Sequence, residues 1–397
     1  MDTRFRVFRY KNIEEVIMKK VLIVTALAGF VRSFLKNDIV TLQEMGYTVE
    51  CAANKNHPGA GKIEEFFDEM NVKFYDIPFS SNSPFSKQTL VAYKSISKLL
   101  KNNNYEMIHV HTPIAGAVVK LAARKYRKKG CKIVYTTHGF YFHSQSSKKT
   151  WMLYFNFEKI LSKYTDYIIT INKEDYGNAK KMYCKNIRYI NGVGVNTEKF
   201  ENVKIDRKAY RENENIAIND IVVMSVGELS NRKNHRIIVE ALAKLNDERY
   251  LYIICGNDMN ENGTSEQLKE LAKEKNVRIR LLGLRDDIPQ LCKVADIGAF
   301  PSSREGLGLA GIEMLASGMP IVSSNVQGIK DYMEDGKTGY IYNPSDADGF
   351  AEGIKKLTDE NVREKMSEYC VRKAKQFDIN ISKTQMKHIY EEVLERK

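Results

Sequence analysis

The sequence predicts an α/β protein made of two doubly wound domains, each a parallel sheet covered by helices on both faces. Its length of 397 residues exceeds one ordinary hydrophobic core and fits two domains of about 150–200 residues each. Short apolar runs also alternate with amphipathic segments in two successive series. Apolar runs of this kind are typical of strands in a parallel sheet that is buried on both faces.

The predicted strands form two series separated by a polar stretch. The first series comprises residues 21–25, 48–52, 73–77, 107–110, 132–136, 167–171 and 187–190. The second series comprises residues 221–226, 250–255, 278–282, 297–300, 320–323 and 339–342. Residues 196–219 are polar and charged and are the predicted linker. From residue 347 onward the pattern is helical only, with a final helix expected over about 380–396.

Composition excludes several other classes of protein. A hydrophobic content of 43% favours a folded, soluble chain over a disordered one. The six cysteines include no closely spaced pair, which argues against a zinc site or a disulfide framework and is typical of a reducing cytosol. No run of about 20 apolar residues is present, so no segment is predicted to span a bilayer.

The amino-terminal region contains one ambiguous segment. Residues 19–31, KKVLIVTALAGFV, imitate the start of a signal peptide, but the apolar run is short and no clear cleavage site follows it. We interpret the run as a buried first strand. Residues 1–17 stand outside the strand pattern, are interpreted as an extension before Met18, and have no assigned role.

The net charge of +12 is concentrated in part in a basic segment, residues 120–129. It reads as one helix and its end, with Lys120, Arg124, Lys125, Arg127, Lys128 and Lys129 as its six cations. These cations are interpreted either as a solvated helix face or as a surface that meets anionic lipid headgroups. Nucleic acid is the least favoured partner, because the chain has no basic motif interleaved with aromatic residues.

The loops after the first-domain strands carry candidate site residues, because ligands of such sheets bind at the carboxyl ends of the strands. Gly29 precedes a helix expected from about Phe30, whose free N–H groups would face an anion. His138 follows the fifth strand, where a neutral imidazole could meet a sugar hydroxyl. His109 and His111 lie on one face of an extended segment. They lack a third metal ligand at a recognisable spacing, so His111 is interpreted as a cleft wall and His109 as strand packing.

The loops of the second half point to a phosphate. Arg232 and Lys233 directly precede a helix expected from about Asn234. Cations at a helix N-terminus are unfavourable on their own, but a phosphate between them would reverse this. Lys233 is the stronger candidate, because adjacent side chains are expected to point in different directions. Other loop positions suited to close backbone approach or a nucleobase slot are Gly227, Gly256, Gly283 and Arg285.

Residues 303–322, SREGLGLAGIEMLASGMPIV, place Glu305 and Glu313 eight residues apart. On one helix they would lie about 80° and two turns apart and would not converge. With Glu305 in a loop and Glu313 inside a helix over about 309–317, both can face one ligand. Gly306 and Gly308 would let backbone N–H groups approach it. Carboxylates for sugar hydroxyls beside a helix N-terminus for phosphate are what a sugar nucleotide requires.

The segment from residue 304 to 331 resembles the E-x7-E signature of retaining glycosyltransferases with the GT-B fold, of the family 4 type. Further landmarks occur in the expected order and cover nearly the whole chain from Met18: YTTHGFYFH, INGVGVNTEKF, VGELSNRKN, LLGLRDDI and PSSREGLGL. HVHTP, THGFYF and INKEDY are similar to members that act in bacterial capsule and exopolysaccharide assembly. The resemblance implies two Rossmann-like domains that face each other across a cleft, with the last helix returning to the first domain.

The resemblance also implies domain bounds and residue roles. Residues 18–192 plus 380–397 would form the acceptor-side domain, and residues 193–379 the donor-side domain. Glu313 matches the glutamate that binds the nucleotide ribose, and Glu305 the one that contacts the donor sugar. The residues expected to carry catalysis are His138, Glu305 and Lys233. The matched residues around the donor and its diphosphate are Gly29, Lys233, Gly306, Leu307 and Gly308.

One position departs from the family pattern. Many members have arginine directly after the glycine that matches Gly227, as a second diphosphate ligand, whereas this chain has Glu228. Arg232 is a candidate substitute for that arginine.

The resemblance further implies the reaction and its surroundings. We expect transfer from a nucleotide diphosphate sugar, with UDP the expected nucleotide, to a lipid-linked saccharide, with retention of anomeric configuration. No metal and no other cofactor is expected, since DAD at 346–348 is interpreted as a helix cap. The expected location is cytoplasmic, peripheral at the inner face of the cell membrane through residues 120–129, with no nucleic acid bound. The alternatives are a sugar-nucleotide epimerase and an inactive nucleotide-sugar binding protein.

Overall fold

Two parallel sheets dominate the structure, a computed structural model that describes residues 19–56, 62–80, 86–258 and 263–395. The first sheet comprises β1 (Lys20–Leu27), β2 (Thr48–Asn54), β3 (Lys73–Asp76), β4 (Met107–Val110), β5 (Lys132–Thr137), β6 (Tyr167–Thr170) and β7 (Asn186–Tyr189). The second comprises β8 (Ile221–Val226), β9 (Tyr250–Cys255), β10 (Arg278–Gly283), β11 (Ile297–Phe300), β12 (Ile321–Ser324) and β13 (Gly339–Tyr342). Every strand predicted from the sequence is present. Residues 1–17 lie outside the described ranges.

Both sheets are doubly wound. Their strand orders are β3-β2-β1-β4-β5-β6-β7 and β10-β9-β8-β11-β12-β13, so each reverses direction at its first strand, β1 or β8. All pairings between these strands are parallel. The six central residues of β1 are buried, which confirms the interpretation of the signal-like run as a strand. The continuous apolar strands exist because helices cover both faces of each sheet.

The helices alternate with the strands as the pattern predicts. The helices up to β7 are α1 (Ala28–Phe34), α2 (Lys36–Glu44), α3 (Ile63–Glu69), α4 (Lys87–Asn102), α5 (Pro113–Ala122), α6 (Arg124–Arg127), α7 (Lys148–Leu161), a 3₁₀ turn (Ser162–Tyr164) and α8 (Lys173–Ala179). Those after β7 are α9 (Thr197–Glu201), α10 (Arg207–Asn213), α11 (His235–Leu245), α12 (Thr264–Glu274), α13 (Ile288–Val294), α14 (Leu309–Ala316), α15 (Ile329–Tyr332), α16 (Ala347–Leu357), α17 (Glu360–Lys375) and α18 (Ile379–Glu395).

The predicted linker 196–219 is wrong, because this stretch folds onto the second sheet's domain. Asn196 and Asp206 cap the short helices α9 and α10 by accepting backbone N–H groups. Arg207 and Arg211 then reach Asp296 at the start of β11, with N···O distances of 2.6 and 3.5 Å. Side-chain caps and buried ion pairs hold the polar stretch in place, and neither gives an apolar periodicity.

Two chain segments join the domains, and they lie side by side. The N–H of Val195 donates to the carbonyl of Phe377 at 3.0 Å, and that of Ile379 donates to Val195 at 2.9 Å. After this crossing α18 returns to the first domain and packs on α2, where the Tyr390 hydroxyl donates to Asp38 at 2.6 Å. The helix expected over 380–396 is therefore present.

The basic segment 120–129 is not one helix. It spans the end of α5, all of α6 and the turn that follows. Lys120 is buried; its Nζ lies 3.1 Å from Glu158 Oε2 and 3.7 Å from the centroid of the Tyr135 ring. Its ammonium group is thus unavailable to a partner, while Arg124 and Lys125 stay exposed. None of the described helices is long and apolar enough to cross a membrane.

Candidate active site

Glu305 lies at the centre of a cluster of charged side chains in the loop after β11. Its Oε1 accepts hydrogen bonds from Lys233 Nζ at 2.7 Å, Arg232 Nη1 at 2.8 Å and Ser302 Oγ at 3.0 Å. Burial raises the pKa of the Glu305 carboxyl, but the charges of Lys233 and Arg232 outweigh burial and hold it below its usual range. Glu305 is therefore ionised at neutral pH.

The turn before α11 makes Arg232 and Lys233 converge, so the expectation that they point in different directions is wrong. Residues 231–234 form a turn that ends with Asn234 in the left-handed region at φ +57°. The N–H of Ser303 donates to the Arg232 carbonyl at 2.8 Å and ties this turn to the Glu305 loop. Strand-like alternation does not apply to such a turn, and both cations reach one carboxylate oxygen.

Glu228, the departure from the family pattern, positions Arg232. Its Oε1 accepts from Arg232 Nη2 at 3.0 Å and from Ser230 Oγ at 3.0 Å. Arg232 thus connects Glu228 to Glu305, with one guanidinium nitrogen on each carboxylate. Where many members of the family have an arginine, this chain has a carboxylate, Glu228, and that carboxylate holds Arg232, four residues further along the chain.

Gly227 is required where Lys233 passes over the end of β8. Its φ is +154°, and a Cβ there would lie 2.9 Å from Lys233 Cε. Lys233 Nζ also lies 4.9 Å from the centroid of the Phe300 ring. The neighbouring strand ends differ in space: a Cβ on Gly256 would overlap the Gly227 carbonyl, whereas one on Gly283 would lie 3.1 Å from Asn257 Oδ1.

Glu313 differs from Glu305 in having no side-chain partner among the residues that the structure describes. It lies in the second turn of α14, as the sequence predicts, and its carboxylate makes no hydrogen bond or ion pair within the described residues. Burial raises its pKa, and the more distant charge of Lys199 lowers it by less. No contact joins the two glutamates, so any ligand they share would have to bridge them.

Gly306 and Leu307 are contact points between the domains. A Cβ on Gly306 would overlap the carbonyl of His138, and the Gly306 carbonyl accepts from Asn172 Nδ2 at 2.8 Å. The Leu307 side chain is buried against Gly192, and its place in the loop around the donor stays a prediction. Gly308, at φ +85°, begins α14 against the Phe300 ring.

Three histidines form the opposite wall of the cleft. His138 Nε2 lies 3.2 Å from His111 Nδ1, and the rings of His111 and His109 are 4.0 Å apart. Burial lowers the pKa of His138 to about 4 and that of His109 to about 3, and it places His111 well below its usual range. All three imidazoles are therefore neutral at pH 7, as the sequence analysis requires of His138.

A buried chain of polar groups anchors this wall to the last helix. His109 lies 2.8 Å from Thr136 Oγ1 through Nε2 and 3.0 Å from the Tyr390 hydroxyl through Nδ1. Tyr390 in turn donates to Asp38, whose pKa burial raises to about 6. His109 is thus a packing residue, as predicted, and α18 supports it.

Gly29 precedes Phe30, whose ring contacts His138. Arg285 lies in the other domain and pairs with acidic side chains there. The helix after β1 begins at Ala28 rather than Phe30, so Gly29 belongs to its first turn. The Phe30 ring meets the His138 ring edge-on at 4.8 Å. The Arg285 guanidinium donates to Asp287 and Glu214 at 2.7 Å each, and its contact with a nucleobase stays a prediction.

Sequence reasoning missed the residues that join the two walls. The segment after β6, INKEDY, sends Asn172 Nδ2 to Gly306 and the Lys173 N–H to Asp331 Oδ2, both at 2.8 Å. Asp175 accepts from the Phe140 N–H at 3.0 Å and fixes the loop that carries His138. The available signal was an Asn N-cap and two acids directly after a buried strand.

No metal centre is evident in the described part of the chain. Within it, no three His, Cys, Asp or Glu side chains lie close enough together to hold an ion. Its six cysteines are free and buried. Asp346 caps α16 by accepting the Gly349 N–H at 2.8 Å, as predicted for the DAD segment.

Known protein families match the two domains separately. A model of glycosyl transferases group 1 matches residues 206–377, and a glycosyl transferase 4-like model matches residues 20–172. EpsD of Bacillus subtilis (strain 168), named as a glycosyltransferase, is 33% identical over 346 residues, which are 85% of this chain and 87% of EpsD. The UDP-Gal:alpha-D-GlcNAc-diphosphoundecaprenol alpha-1,3-galactosyltransferase of Escherichia coli is 28% identical over 329 residues, 78% of this chain and 81% of that protein.

Solved structures share the architecture. A glycosyltransferase from Rickettsia africae has a TM-score of 0.77 at 21% identity and covers 96% of this chain and 100% of its own. HepE of Anabaena in complex with UDP and glucose has a TM-score of 0.75 at 18% identity, over 94% and 100%. At these identities the likeness concerns the fold.

Two doubly wound domains that meet across a polar cleft place the protein in the GT-B class of glycosyltransferases. The chain belongs to the glycosyl transferases group 1 family, with a 4-like first domain. The resemblance drawn from the sequence motifs is thereby confirmed.

Proposed function

We propose that this protein transfers a hexose from a nucleotide diphosphate sugar, a UDP-sugar, to a lipid-linked saccharide, with retention of configuration, in the synthesis of a cell-surface polysaccharide. The observation that supports this most is the convergence of Lys233 and Arg232 on Glu305 in front of α11. The two cations are balanced by two carboxylates, Glu305 and Glu228, so the cluster holds Lys233 and Arg232 in place without an excess of charge. A donor diphosphate at the helix N-terminus would accept hydrogen bonds from both cations there.

Lys233 would act on the leaving group. As the sugar departs, negative charge grows on the diphosphate, and a preorganised ammonium group stabilises it where it develops. The acceptor hydroxyl attacks the anomeric carbon, the bond to the diphosphate oxygen breaks, and the hydroxyl proton passes to that oxygen. Lys233 and Arg232 supply the positive charge that a metal ion supplies in other sites, so no metal is needed in this proposal.

Glu305 is poorly suited to be a nucleophile. Its Oε1 already accepts three hydrogen bonds, two from cations. Its role would be to accept from the donor sugar's hydroxyls with its other oxygen while it holds Lys233. Attack from the face of the departing diphosphate accounts for retention without a covalent intermediate, so the two-carboxylate logic of glycoside hydrolases does not transfer.

Glu313 and His138 would hold the two ends of the donor. Glu313 is half-buried and has no partner in the described part of the chain, as suits a carboxylate that accepts from ribose hydroxyls. His138 is neutral, so it can hydrogen-bond a sugar hydroxyl without adding charge to the cleft. UDP as the nucleotide is supported by the complex of HepE with UDP and glucose. A lipid-linked acceptor is supported by the Escherichia coli relative, a galactosyltransferase that acts on GlcNAc-diphosphoundecaprenol.

Ligand-dependent thermal unfolding tests the donor site. The purified protein is heated with UDP, GDP or ADP, each with EDTA and with magnesium. A ligand at 100 times its dissociation constant adds about 2.7 kcal/mol, which raises Tm by several degrees at roughly 2–4 °C per kcal/mol. We expect a rise with UDP that is equal in EDTA and is lost in Lys233→Met. A rise that needs magnesium contradicts the metal-free proposal.

Product analysis then separates transfer from other activities. With a UDP-sugar and a lipid-linked saccharide, we expect a longer saccharide and free UDP. Release of an epimerised sugar nucleotide without acceptor would mean an epimerase. Binding of UDP-sugars with no turnover for any acceptor class would mean an inactive binding protein.

A further inference from the structure

We propose that the outer face of helices α4, α6 and α7, here called the docking face, binds the surface of an anionic lipid bilayer. The inference rests on the proposed function in one respect: such a bilayer would carry the lipid-linked acceptor. The residues that support it include Arg124, Lys125 and Lys128 of the basic segment and add exposed apolar and basic residues of α4 and α7.

Charge is distributed unequally along the chain. Residues 86–165 contain fifteen Lys and Arg but only two acids, Glu106 and Glu158. The rest of the chain contains 47 Lys and Arg and 48 Asp and Glu, from totals of 62 and 50. The whole net positive charge of the protein therefore lies in one stretch of 80 residues, which suits an extended anionic partner.

The two acids do not neutralise the docking face. Glu158 lies on the buried side of α7, where it pairs with Lys120. Glu106 lies at the amino end of β4, 3.8 Å from Lys19. In the described residues, Arg127 is the one cation of α6 that has a carboxylate partner, Asp166 at 2.9 Å.

Large apolar side chains point to solvent among these cations. They are between 50% and 65% exposed and comprise Leu90 and Val91 on α4 and Met152, Leu153 and Ile160 on α7. Around them lie the exposed lysines Lys87, Lys94, Lys148, Lys149 and Lys163. Apolar residues within a rim of lysines are typical of helices that lie in a membrane interface.

The helices share one side of the molecule. Ile96 of α4, Val118 of α5 and Phe155 of α7 belong to one core on the same face of the first sheet. α5 packs between α4 and α7, and its residues are largely buried. The solvent sides of α4 and α7 therefore flank a basic groove at the end of α5, lined by Tyr93, Arg124, Lys125, Lys128 and Lys163.

The docking face is continuous with the cleft. Residues 138–147 join the end of β5 to α7, and they begin with His138. Tyr141 in this loop stacks on Tyr154 of α7, with ring centroids 5.3 Å apart. A saccharide whose lipid lies in the bilayer under α7 would thus enter near His138. A nucleic acid or an acidic protein would match the cations but would leave the Met, Leu and Ile side chains without a matching surface.

Vesicle co-sedimentation tests the proposal. Vesicles of phosphatidylcholine with about 30% phosphatidylglycerol are compared with vesicles of phosphatidylcholine alone, and we expect binding to the former that weakens with salt. Two triple variants should each bind at least tenfold more weakly: Met152→Gln with Leu153→Gln and Ile160→Gln, and Lys125→Gln with Lys128→Gln and Lys163→Gln.

Matched control variants change the same residue types on the second domain. Ile218→Gln with Leu284→Gln removes exposed apolar side chains there, and Lys269→Gln with Lys275→Gln and Lys365→Gln removes three lysines. Both controls should bind vesicles within twofold of the wild type. Equal weakening of test and control variants would overturn the proposal, as would displacement of the protein from vesicles by an equal charge of duplex DNA.

The donor assay keeps this proposal separate from the proposed function. A nucleotide-dependent rise in Tm without vesicle binding would overturn the docking face and leave the transferase standing. Vesicle binding that depends on both triple sets, without any nucleotide effect, would support the docking face and count against the transferase.

Discussion

The two walls of the cleft accommodate their buried polar groups in opposite ways, one by pairing charges and the other by keeping its groups neutral. The second-domain wall is charged, with Glu305 held by Lys233 and Arg232. The first-domain wall is neutral, with His138 and His111 kept uncharged by burial. The charged wall gains from mutual attraction, and the neutral wall avoids the cost of desolvating an ion. The charged cluster around Glu305 thus lies on the second-domain wall, opposite the neutral imidazoles, which favours one orientation of a donor diphosphate.

The largest effect is expected from removing the cation nearest the donor. Lys233→Met should lower turnover by about 10²–10³-fold, as loss of one charge-stabilising donor does in other enzymes. Steady-state kinetics with a UDP-sugar would measure it. Lys373→Met is the matched control, because its side chain is 15% exposed against 13% for Lys233 and pairs with Glu334. Equal turnover in the two variants would remove Lys233 from the chemistry.

The second comparison sets Glu305 against Glu313. Glu305→Gln leaves two cations around a neutral amide and should cost about 3 kcal/mol of unfolding free energy. Glu313→Gln should change it by less than about 1 kcal/mol, since that carboxylate loses no hydrogen bond or ion pair to any described residue. Urea unfolding measures both. Losses of the same size would mean that Glu313 has a partner that the structure does not show.

Because its histidines are buried in the neutral form, the first-domain wall should make the folded protein less stable as the pH falls. Burial lowers the pKa of His138 to about 4, below the roughly 6.5 of an exposed histidine. As the pH falls through 6.5 the unfolded chain takes up a proton that the folded chain refuses until about 4. Stability is therefore lost across that window, by about 1–2 kcal/mol at pH 5 from this residue.

Urea unfolding at pH 7 and pH 5 would isolate that contribution. The loss between the two values should be smaller in His138→Gln than in the wild type. His388→Gln on α18, whose side chain is mostly exposed, is the control and should leave the loss unchanged. A variant His138→Gln with the full wild-type loss would show that His138 titrates normally.

The smallest effect is expected at the rim of the charged wall. Glu228→Gln weakens the hold on Arg232, but both side chains are about one-third exposed. Partly exposed pairs contribute about 0–1 kcal/mol, so the donor KM should change by less than about fivefold. Steady-state kinetics of Glu228→Gln, run in parallel with Lys233→Met, would measure the change in donor KM. A change as large as that of Lys233→Met would make Glu228 a main determinant of the site.

The sequence predicts the strands and helices well, because apolar periodicity records burial. It places Glu305, Glu313, His138 and Lys233 after strand ends, and the structure puts them there. A contact between distant segments cannot be read from the local sequence. Glu305 lies 72 residues from Lys233, and no motif beside either residue predicts that they pair.

The errors have a common physical origin. Lys120 reads as part of a solvated basic face, although Glu158, 38 residues away, neutralises it in the core. The polar stretch 196–219 reads as a linker, although Arg207 pairs with Asp296, 89 residues away, and holds the stretch on the second domain. In each case a partner from a distant segment determines the side chain's surroundings, and periodicity within one segment does not record such partners.

The paired crossing at Val195 and Phe377 constrains how the cleft can change width. A single connecting segment would let one domain both bend and twist relative to the other. Here two adjacent segments are hydrogen-bonded to each other, and a twist would shear the bonds of Val195 to Phe377 and to Ile379. Bending leaves those bonds intact. We therefore expect the domains to move relative to each other mainly by rotation about one axis, which would open or close both walls together.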